Sequence, residues 1–361
     1  MTSQDKKWLF HFRIGIDKLN HNATGLGHAI RCIRLIEEAK KHDIECFVIS
    51  SDNKATKDFL SSKNIEFEKE SKIADLRRDF DVIVSDINYL DNHVFNSYRE
   101  IGKKIVSVAP RGHSKYNADI AILDVDFKDV NSKEKNKRSR IFSDMNYTVT
   151  DARFKLIRER IQKGDLEKKD NEIVVFMGGV DHNDLTQKVV SCIIKLKKHF
   201  NMHVILGELN NNLENILRIK RYENEHYTMQ IHINPSNYYE IIAKCKFGFF
   251  SAGISSYEAA GLGTVPLNIS ISNFHMQRSL EMEKKNIGIH LGGMTDFQHK
   301  LKDFLDQLDI KQINNLAKSG MQQINGNGSV KIIQKIISEI KKIIWQPHTT
   351  FSKLQIHMEV I

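Results

Sequence analysis

The chain has 361 residues, of which 40% are hydrophobic and 27% charged, with a formal net charge of +9. That length implies two domains rather than one, and the apolar fraction supports packed cores, which excludes disorder and a collagen-like repeat. The basic excess suits an acidic partner. However, abundant Lys, Ile and Asn are also what A/T-rich coding produces, and the basic residues are dispersed rather than interleaved with aromatics, which argues against nucleic acid.

Four cysteines, Cys32, Cys46, Cys192 and Cys245, form no CxxC pair and read as reduced core residues of a cytoplasmic protein. The first ten residues, MTSQDKKWLF, contain no apolar signal core. The least charged stretch, 247–273, is interrupted by Gly, Ser, Pro and Glu258. Neither export nor stable membrane insertion is expected.

Short β-branched runs alternate with helical patterns throughout, which predicts an α/β chain with parallel sheets. Strands are expected near Phe10 to Ile16, Ile44 to Ser50, Asp81 to Ser85, Lys104 to Val108 and Asp119 to Leu123. A charged stretch from Lys128 to Arg140 breaks the pattern. It resumes with strands at Glu172 to Met177, His203 to Leu206, Phe247 to Ser251 and Thr264 to Ile269. The break places the domain boundary between Lys128 and Asn171. Ile332, Ile333, Ile336, Ile337, Ile340 and Ile344 mark one face of a terminal helix, expected to pack on its own domain rather than on a membrane. After Pro347, the alternation Leu354, Ile356, Met358, Val360 reads as a short strand.

Glycine is scarce, so its clustering after a strand and before a helix points to ligand contact. The first cluster is Gly25-Leu26-Gly27-His28. It is not a dinucleotide fingerprint, because position 30 is Ile30. His28 falls in the first turn of a helix, where the dipole disfavours the imidazolium, so a neutral ring able to accept a proton from water is expected; the plainer alternative is a capping residue. Asp17, at the carboxyl end of the first strand, points to the same crevice or ties down the loop. The second cluster, Gly178-Gly179 followed by Asp181, offers backbone N–H groups to an anion or is an ordinary strand-to-helix turn with an acidic cap. The third runs from Ser251 through Gly253, Ser255, Ser256 and Glu258 to Gly263. Gly253 and Ser255 let a diphosphate approach the helix start, and Glu258 can accept hydrogen bonds from ribose hydroxyls.

Other chemistries lack their signatures: there is no P-loop, no GxSxG elbow, no HExxH and no convincing acidic metal pair. No metal and no cofactor is implied. His199 and His203 have helical spacing but no third ligand and read as surface residues.

The motifs G-L-G-H-A-I-R-C, F-M-G-G-V-D-H-N-D-L-T and S-A-G-I-S-S-Y-E-A-A-G-L-G-T-V-P together resemble the nucleotide-sugar hydrolases of pseudaminic acid biosynthesis and the related spore-coat polysaccharide biosynthesis proteins, over roughly Phe10 to Gly292. The resemblance implies a two-domain GT-B fold, similar to the murein N-acetylglucosaminyltransferase. It also implies an enzyme in which water attacks the anomeric carbon of a UDP-linked diacetamido sugar and UDP leaves. His28 corresponds to the proposed base, and Ser255 or Ser256 and Glu258 to the residues that hold diphosphate and ribose. Asn273 and Gln277 stand where the family places an Asn and a Gln near the sugar or phosphate. Where relatives carry an acidic pair after the fifth strand, this chain has Ala109-Pro110-Arg111, and in the linker motif from Tyr147 to Phe154 the charges of Asp151 and Arg153 are exchanged.

The expected organisation is therefore a domain over 1–150 carrying the GxGH loop, a nucleotide-binding domain over 151–345 and a tail over 346–361. The expected partner is a UDP-sugar. An inverting glycosyltransferase and a non-catalytic nucleotide-sugar-binding protein are the alternatives, and the sugar and the oligomeric state are left open.

Overall fold

The computed structural model describes residues 6–17, 22–24, 26–76, 79–87, 92–109, 117–125, 139–181, 183–196, 198–207, 210, 213–220 and 227–344. The first half runs β1 (Lys6–Phe12), β2 (Gly15–Asp17), β3 (Asn22–Thr24), α1 (Gly27–Lys40), β4 (Ile44–Ser50), α2 (Lys54–Ser62), β5 (Glu68–Lys69), β6 (Val82–Asp86), α3 (Asn92–Ile101), β7 (Ile105–Val108), β8 (Ile120–Leu123) and β9 (Arg140–Ser143). Seven of these strands form one parallel sheet in the order β5-β4-β1-β6-β7-β8-β9. Its inner strands carry nearly unbroken apolar runs because a parallel sheet is covered on both faces; in β1 the last five residues, Trp8 to Phe12, are all buried. The strand expected to reach Ile16 stops at Phe12, since residues 15–17 instead pair antiparallel with 22–24 in a short ribbon leading to α1.

The second half runs α4 (Ala152–Gln162), β10 (Lys169–Phe176), α5 (Leu185–Lys195), β11 (Phe200–Leu206), α6 (Leu213–Lys220), β12 (Tyr227–Ile233), α7 (Tyr238–Lys244), β13 (Cys245–Phe250), α8 (Ile254–Gly261), β14 (Val265–Ser270), α9 (Asn273–Lys284), β15 (Ile289–Gly293), α10 (Phe297–Asp306), α11 (Ile310–Gln323) and α12 (Gly328–Ile344). Its parallel sheet has the order β12-β11-β10-β13-β14-β15. The edge strands β12 and β15 fall outside the expected strands, although β12 (YTMQIHI) alternates apolar and polar residues as a half-buried strand does. β12 is only partly buried, and β15 contains Gly292, whose φ of +94° coincides with a register shift against β14. The terminal strand expected from Leu354 lies outside the described residues.

The isoleucine-striped helix corrects the expectation of packing on the nearer domain. Ile332, Ile333 and Ile336 of α12 share a buried core with Trp8 and Phe10 of β1 and Cys32, Leu35 and Ile36 of α1. The chain returns to the first sheet because that face of the sheet and α1 would otherwise leave apolar surface in water. The return crosses the outgoing connection closely. Gly328 sits so near Thr148 that a Cβ would lie 1.9 Å from its carbonyl oxygen, Thr150 Oγ1 donates to Gly326 O at 3.1 Å, and Ser329 Oγ donates to Thr150 O at 3.1 Å.

All four cysteines are free; Cys32 and Cys245 are core residues, whereas Cys46 and Cys192 are only partly covered. Among the described residues no helix is long and apolar enough to cross a membrane.

Candidate functional site

Each sheet reverses its strand order once, between β1 and β6 in the first and between β10 and β13 in the second. At such a point the connections leave in opposite directions, and a crevice opens beyond the carboxyl ends of the strands. The loop after β1 leads into α1 with His28, and Asp86 ends β6. The loop after β10 carries Gly178 and Gly179, and that after β13 carries Gly253. The three glycine clusters read from the sequence therefore lie at the two switch points.

They also meet in space. Gly27 approaches Ile254 of α8, whose Cδ1 would be 3.9 Å from a Cβ at Gly27, and Gly179 lies against Leu26 at 3.8 Å in the same sense. Gly207, just after β11, underlies this turn: a Cβ there would lie 2.3 Å from Gly179 Cα, so only glycine fits. Gly178 takes φ +92°, and Asp181 and Ala252 hold φ values of +49° and +57° that L-residues seldom adopt, which concentrates backbone strain at the crevice. Gly253 is the N-cap of α8, so the unsatisfied backbone donors of that helix face the first domain.

His28 is the second residue of α1 and is mostly covered. Its Nδ1 lies 2.6 Å from Asp86 Oδ1. Arg31, one turn further along α1, donates from Nε to Asp86 Oδ2 and from its Nη2 to Oδ1, both at 2.6 Å. Burial opposes the charge on Asp86, but Arg31 and His28 hold its carboxyl down at about 2. A carboxylate ionised at neutral pH can only accept, so the Nδ1 of His28 donates to it, and in the neutral form of the ring Nε2 is then the acceptor. This is the arrangement that orients an imidazole base.

Glu258 is buried in α8. Its Oε1 accepts from Arg34 Nη1 at 2.9 Å and from the Tyr239 hydroxyl at 2.9 Å, and its Oε2 accepts from the Tyr238 hydroxyl at 3.1 Å. Burial first, and then the Glu258 carboxylate, push both tyrosine hydroxyls well above their ordinary value, so both remain donors. Arg34 belongs to α1, so this ion pair joins the two domains. A second pair does the same: Arg278 of α9 donates to both oxygens of Asp124, just past β8, at 2.8 and 3.0 Å, with its guanidinium 4.6 Å from the Phe274 ring centroid.

The remaining expected site residues divide by surroundings. Ser255 is buried at the start of α8. Ser256 turns into the core, where its Oγ donates to Asn268 Oδ1 at 2.8 Å. Asp181 caps α5, its two oxygens accepting from the backbone N–H of Leu185 and Thr186 at 2.9 Å each. Asn273 opens α9, and Gln277 follows one turn later; both are exposed. Asp17 ends β2 and pairs with Asn22 in the ribbon. Gly25 lies outside the described residues.

Asp86, Arg31, Arg34, Tyr238, Tyr239, Asp124 and Arg278 were not singled out from the sequence. Asp86 and Asp124 had one usable signal, an acid at the carboxyl end of an apolar strand; the other five had no such signal. His203, read as a surface residue, is buried in β11: its Nε2 lies 2.5 Å from Glu172 Oε2, and its Nδ1 lies 3.0 Å from Nε2 of His232, on whose ring it stacks. The three residues belong to adjacent strands β10, β11 and β12, which explains their meeting without any sequence motif. Among the described residues no group of three or more His, Cys, Asp and Glu side chains is placed to hold a metal ion.

Between the domains, beside Arg31, Asp124 and Ile254, the described residues line a cavity of about 10 Å³, room for about one water molecule. A larger hollow of about 430 Å³, lined by Arg158, Lys168 and Met321, lies by the amino ends of β10 and β14, the wrong end of the sheet for ligand binding in this architecture. The Lys168 ammonium there is already committed to Ala243 O, Cys245 O and Thr264 Oγ1, at 2.8, 3.0 and 2.8 Å.

No protein-family model matches the chain. An uncharacterized protein of Methanocaldococcus jannaschii is 24% identical over 263 residues, covering 69% of this chain and 53% of that protein, so the chain spans about half the length of the curated relative it matches. Among solved structures, MurG of Acinetobacter baumannii superposes with a TM-score of 0.67 at 11% identity, over 92% of this chain and 99% of that one. The MnaA–UDP co-structure from S. aureus gives 0.61 at 12% identity, over 95% and 99%. UDP-GlcNAc 2-epimerase from Neisseria meningitidis bound to UDP-GlcNAc gives 0.60 at 12%, over 92% and 100%. With its seven- and six-stranded parallel sheets, Rossmann-like in both halves, this chain has the GT-B fold.

Proposed function

We propose that the chain is a nucleotide-sugar hydrolase that releases UDP from a UDP-linked sugar of the diacetamido type, working through protein side chains and without a metal, as a step in making surface polysaccharide or nonulosonic acid. The observation that carries this reading is the His28–Asp86 pair, held at 2.6 Å on the edge of α1 that faces the amino end of α8. In the proposed step Nε2 of His28 takes a proton from water as the water oxygen bonds to the anomeric carbon. The bond from that carbon to the diphosphate oxygen breaks, and UDP leaves with the electron pair, giving the free sugar with inverted configuration. The amino end of α8, with Gly253 and Ser255, would take the developing diphosphate charge, and Glu258 the ribose hydroxyls. Solved structures of the same fold hold UDP or UDP-GlcNAc, which supports the nucleotide class. Closure of the two domains over the substrate would exclude bulk water.

The test is UDP release from a panel of UDP-linked diacetamido sugars by the wild type and by His28→Ala. Loss of a general base lowers the rate by about 10²- to 10⁴-fold. Equal rates would remove His28 from the mechanism, and no release by the wild type would remove the hydrolase.

A second reading, transfer of the sugar to an acceptor hydroxyl, draws on Met276 and Leu280. These exposed apolar side chains lie on the same face of α9 as Asn273 and Gln277, where an apolar acceptor would find contact. Product analysis separates the two, since only transfer joins the sugar to another molecule.

A further inference from the structure

Glu258 is the carboxylate to which the nucleotide reading assigns the ribose, yet little of it is open to a ligand. A carboxylate has about four acceptor positions. Oε1 receives two donors, from Arg34 and Tyr239, and Oε2 receives one, from Tyr238. The two tyrosines belong to the same domain as Glu258, but Arg34 reaches it from α1, the helix that carries His28. One position is left, so a ribose diol that donates two hydrogen bonds also needs the position that Arg34 fills.

Arg34 is placed to let go. Removing a buried guanidinium from its only counterion would strand a charge, which costs several kcal/mol. Arg34 avoids this, because Nη1 also lies 3.0 Å from Val149 O, and Nη2 lies 3.0 Å from the Tyr239 hydroxyl and 3.5 Å from Asp151 Oδ2. Those partners sit at the junction between the domains and remain when Glu258 is taken away. Tyr239 touches both members of the pair and can keep its bond to either.

We propose that Arg34 is a positioning residue that competes with the ribose hydroxyls of the nucleotide for Glu258, so that nucleotide binding exchanges an interdomain ion pair for a ligand contact. The proposal rests on the nucleotide reading above. It has a consequence that a purely structural ion pair would not: weakening the pair should strengthen binding, and only for nucleotides that carry the hydroxyls. A protein held mainly in the paired state shows a ligand affinity reduced by the fraction of molecules that are competent, and removing the competitor restores it.

Calorimetry of the full chain with UDP and with 2′,3′-dideoxy-UDP tests this in the wild type and in Arg34→Met, which keeps the apolar stem but not the charge. The expected result is about tenfold tighter binding of UDP by the variant, within the usual range for coupled ligands, and unchanged affinity for the dideoxy compound. Equal UDP affinity in the two proteins, or an equal change for both nucleotides, overturns the proposal while leaving the nucleotide site intact. Absence of UDP binding in the wild type as well overturns the nucleotide reading itself. If Arg34→Met does not fold, Arg34→Lys, which keeps the charge but loses the planar fork, provides the same comparison with a smaller gain.

Discussion

His28 Nδ1 donates to Asp86 Oδ1 across 2.6 Å, joining residues 58 positions apart at the point where the first sheet reverses its strand order. The pair fixes the tautomer of the imidazole, and Arg31 fixes the carboxylate in turn through two 2.6 Å contacts. A ring held at Nδ1 by a carboxylate that is itself held loses little freedom when a substrate arrives.

If this pair acts as a unit, Asp86→Asn should lower UDP release by about 10²-fold or more, because an amide in that position favours the wrong tautomer. The double variant His28→Ala/Asp86→Asn should then be little worse than His28→Ala alone. Steady-state rates on the same UDP-sugar decide the matter, and fully multiplicative losses would show that the two residues act independently.

Acid should weaken the fold in a defined window. Arg31 and His28, working against burial, hold Asp86 at about 2, below its ordinary 3.8. Burial likewise opposes the charge on Glu70, which His11 and Arg13 hold at about 2, below 4.5. A carboxyl held below its unfolded value stabilises the native state above that value, and the contribution disappears as pH falls toward the folded value. For Asp86 it amounts to roughly 2 kcal/mol. Denaturant midpoints should therefore stay level down to about pH 4.5 and decline from there toward pH 2. Asp86→Asn should be destabilised at neutral pH and lose less on acidification, and a midpoint that does not move in that range would contradict the assignment.

The buried pair Asp124–Arg278 should behave asymmetrically. Asp124→Ala leaves the Arg278 guanidinium buried without its counterion and is expected to cost about 3–5 kcal/mol, whereas Asp124→Leu with Arg278→Met together should cost far less. Urea unfolding of the three proteins provides the comparison; a double variant as unstable as the single one would mean that packing, not charge, sets the loss.

The return of the last helix makes its own prediction. Ile333 of α12 is fully buried against the core of the first sheet, so Ile333→Ala should cost about 2–5 kcal/mol. Hydrogen exchange should show the loss of protection in β1 and α1 rather than in β13 or β14. Loosening confined to the second sheet would place the helix elsewhere.

What the amino-acid sequence determined by itself was local. Alternating apolar runs declare parallel strands and helices, glycine after a strand marks a close approach or a positive φ as at Gly178, and His28 after Gly27 reads as the first turn of a helix. Each of these depends on neighbours within a few positions, so each is visible in the chain. The edge strand β15 escaped because its glycines blur that local pattern, whereas β12 carried the alternation Tyr227, Met229, Ile231, Ile233 and was legible in the chain. The partners of the site were decided by tertiary structure alone. Asp86 reaches His28 because β6 lies beside β1 in the sheet, Glu258 reaches Arg34 across 224 positions, Arg278 reaches Asp124 across 154, and α12 crosses back to cover the first core. Pairings at such separations follow from the order in which strands assemble and from which apolar faces remain to be covered, and no short-range pattern carries that information.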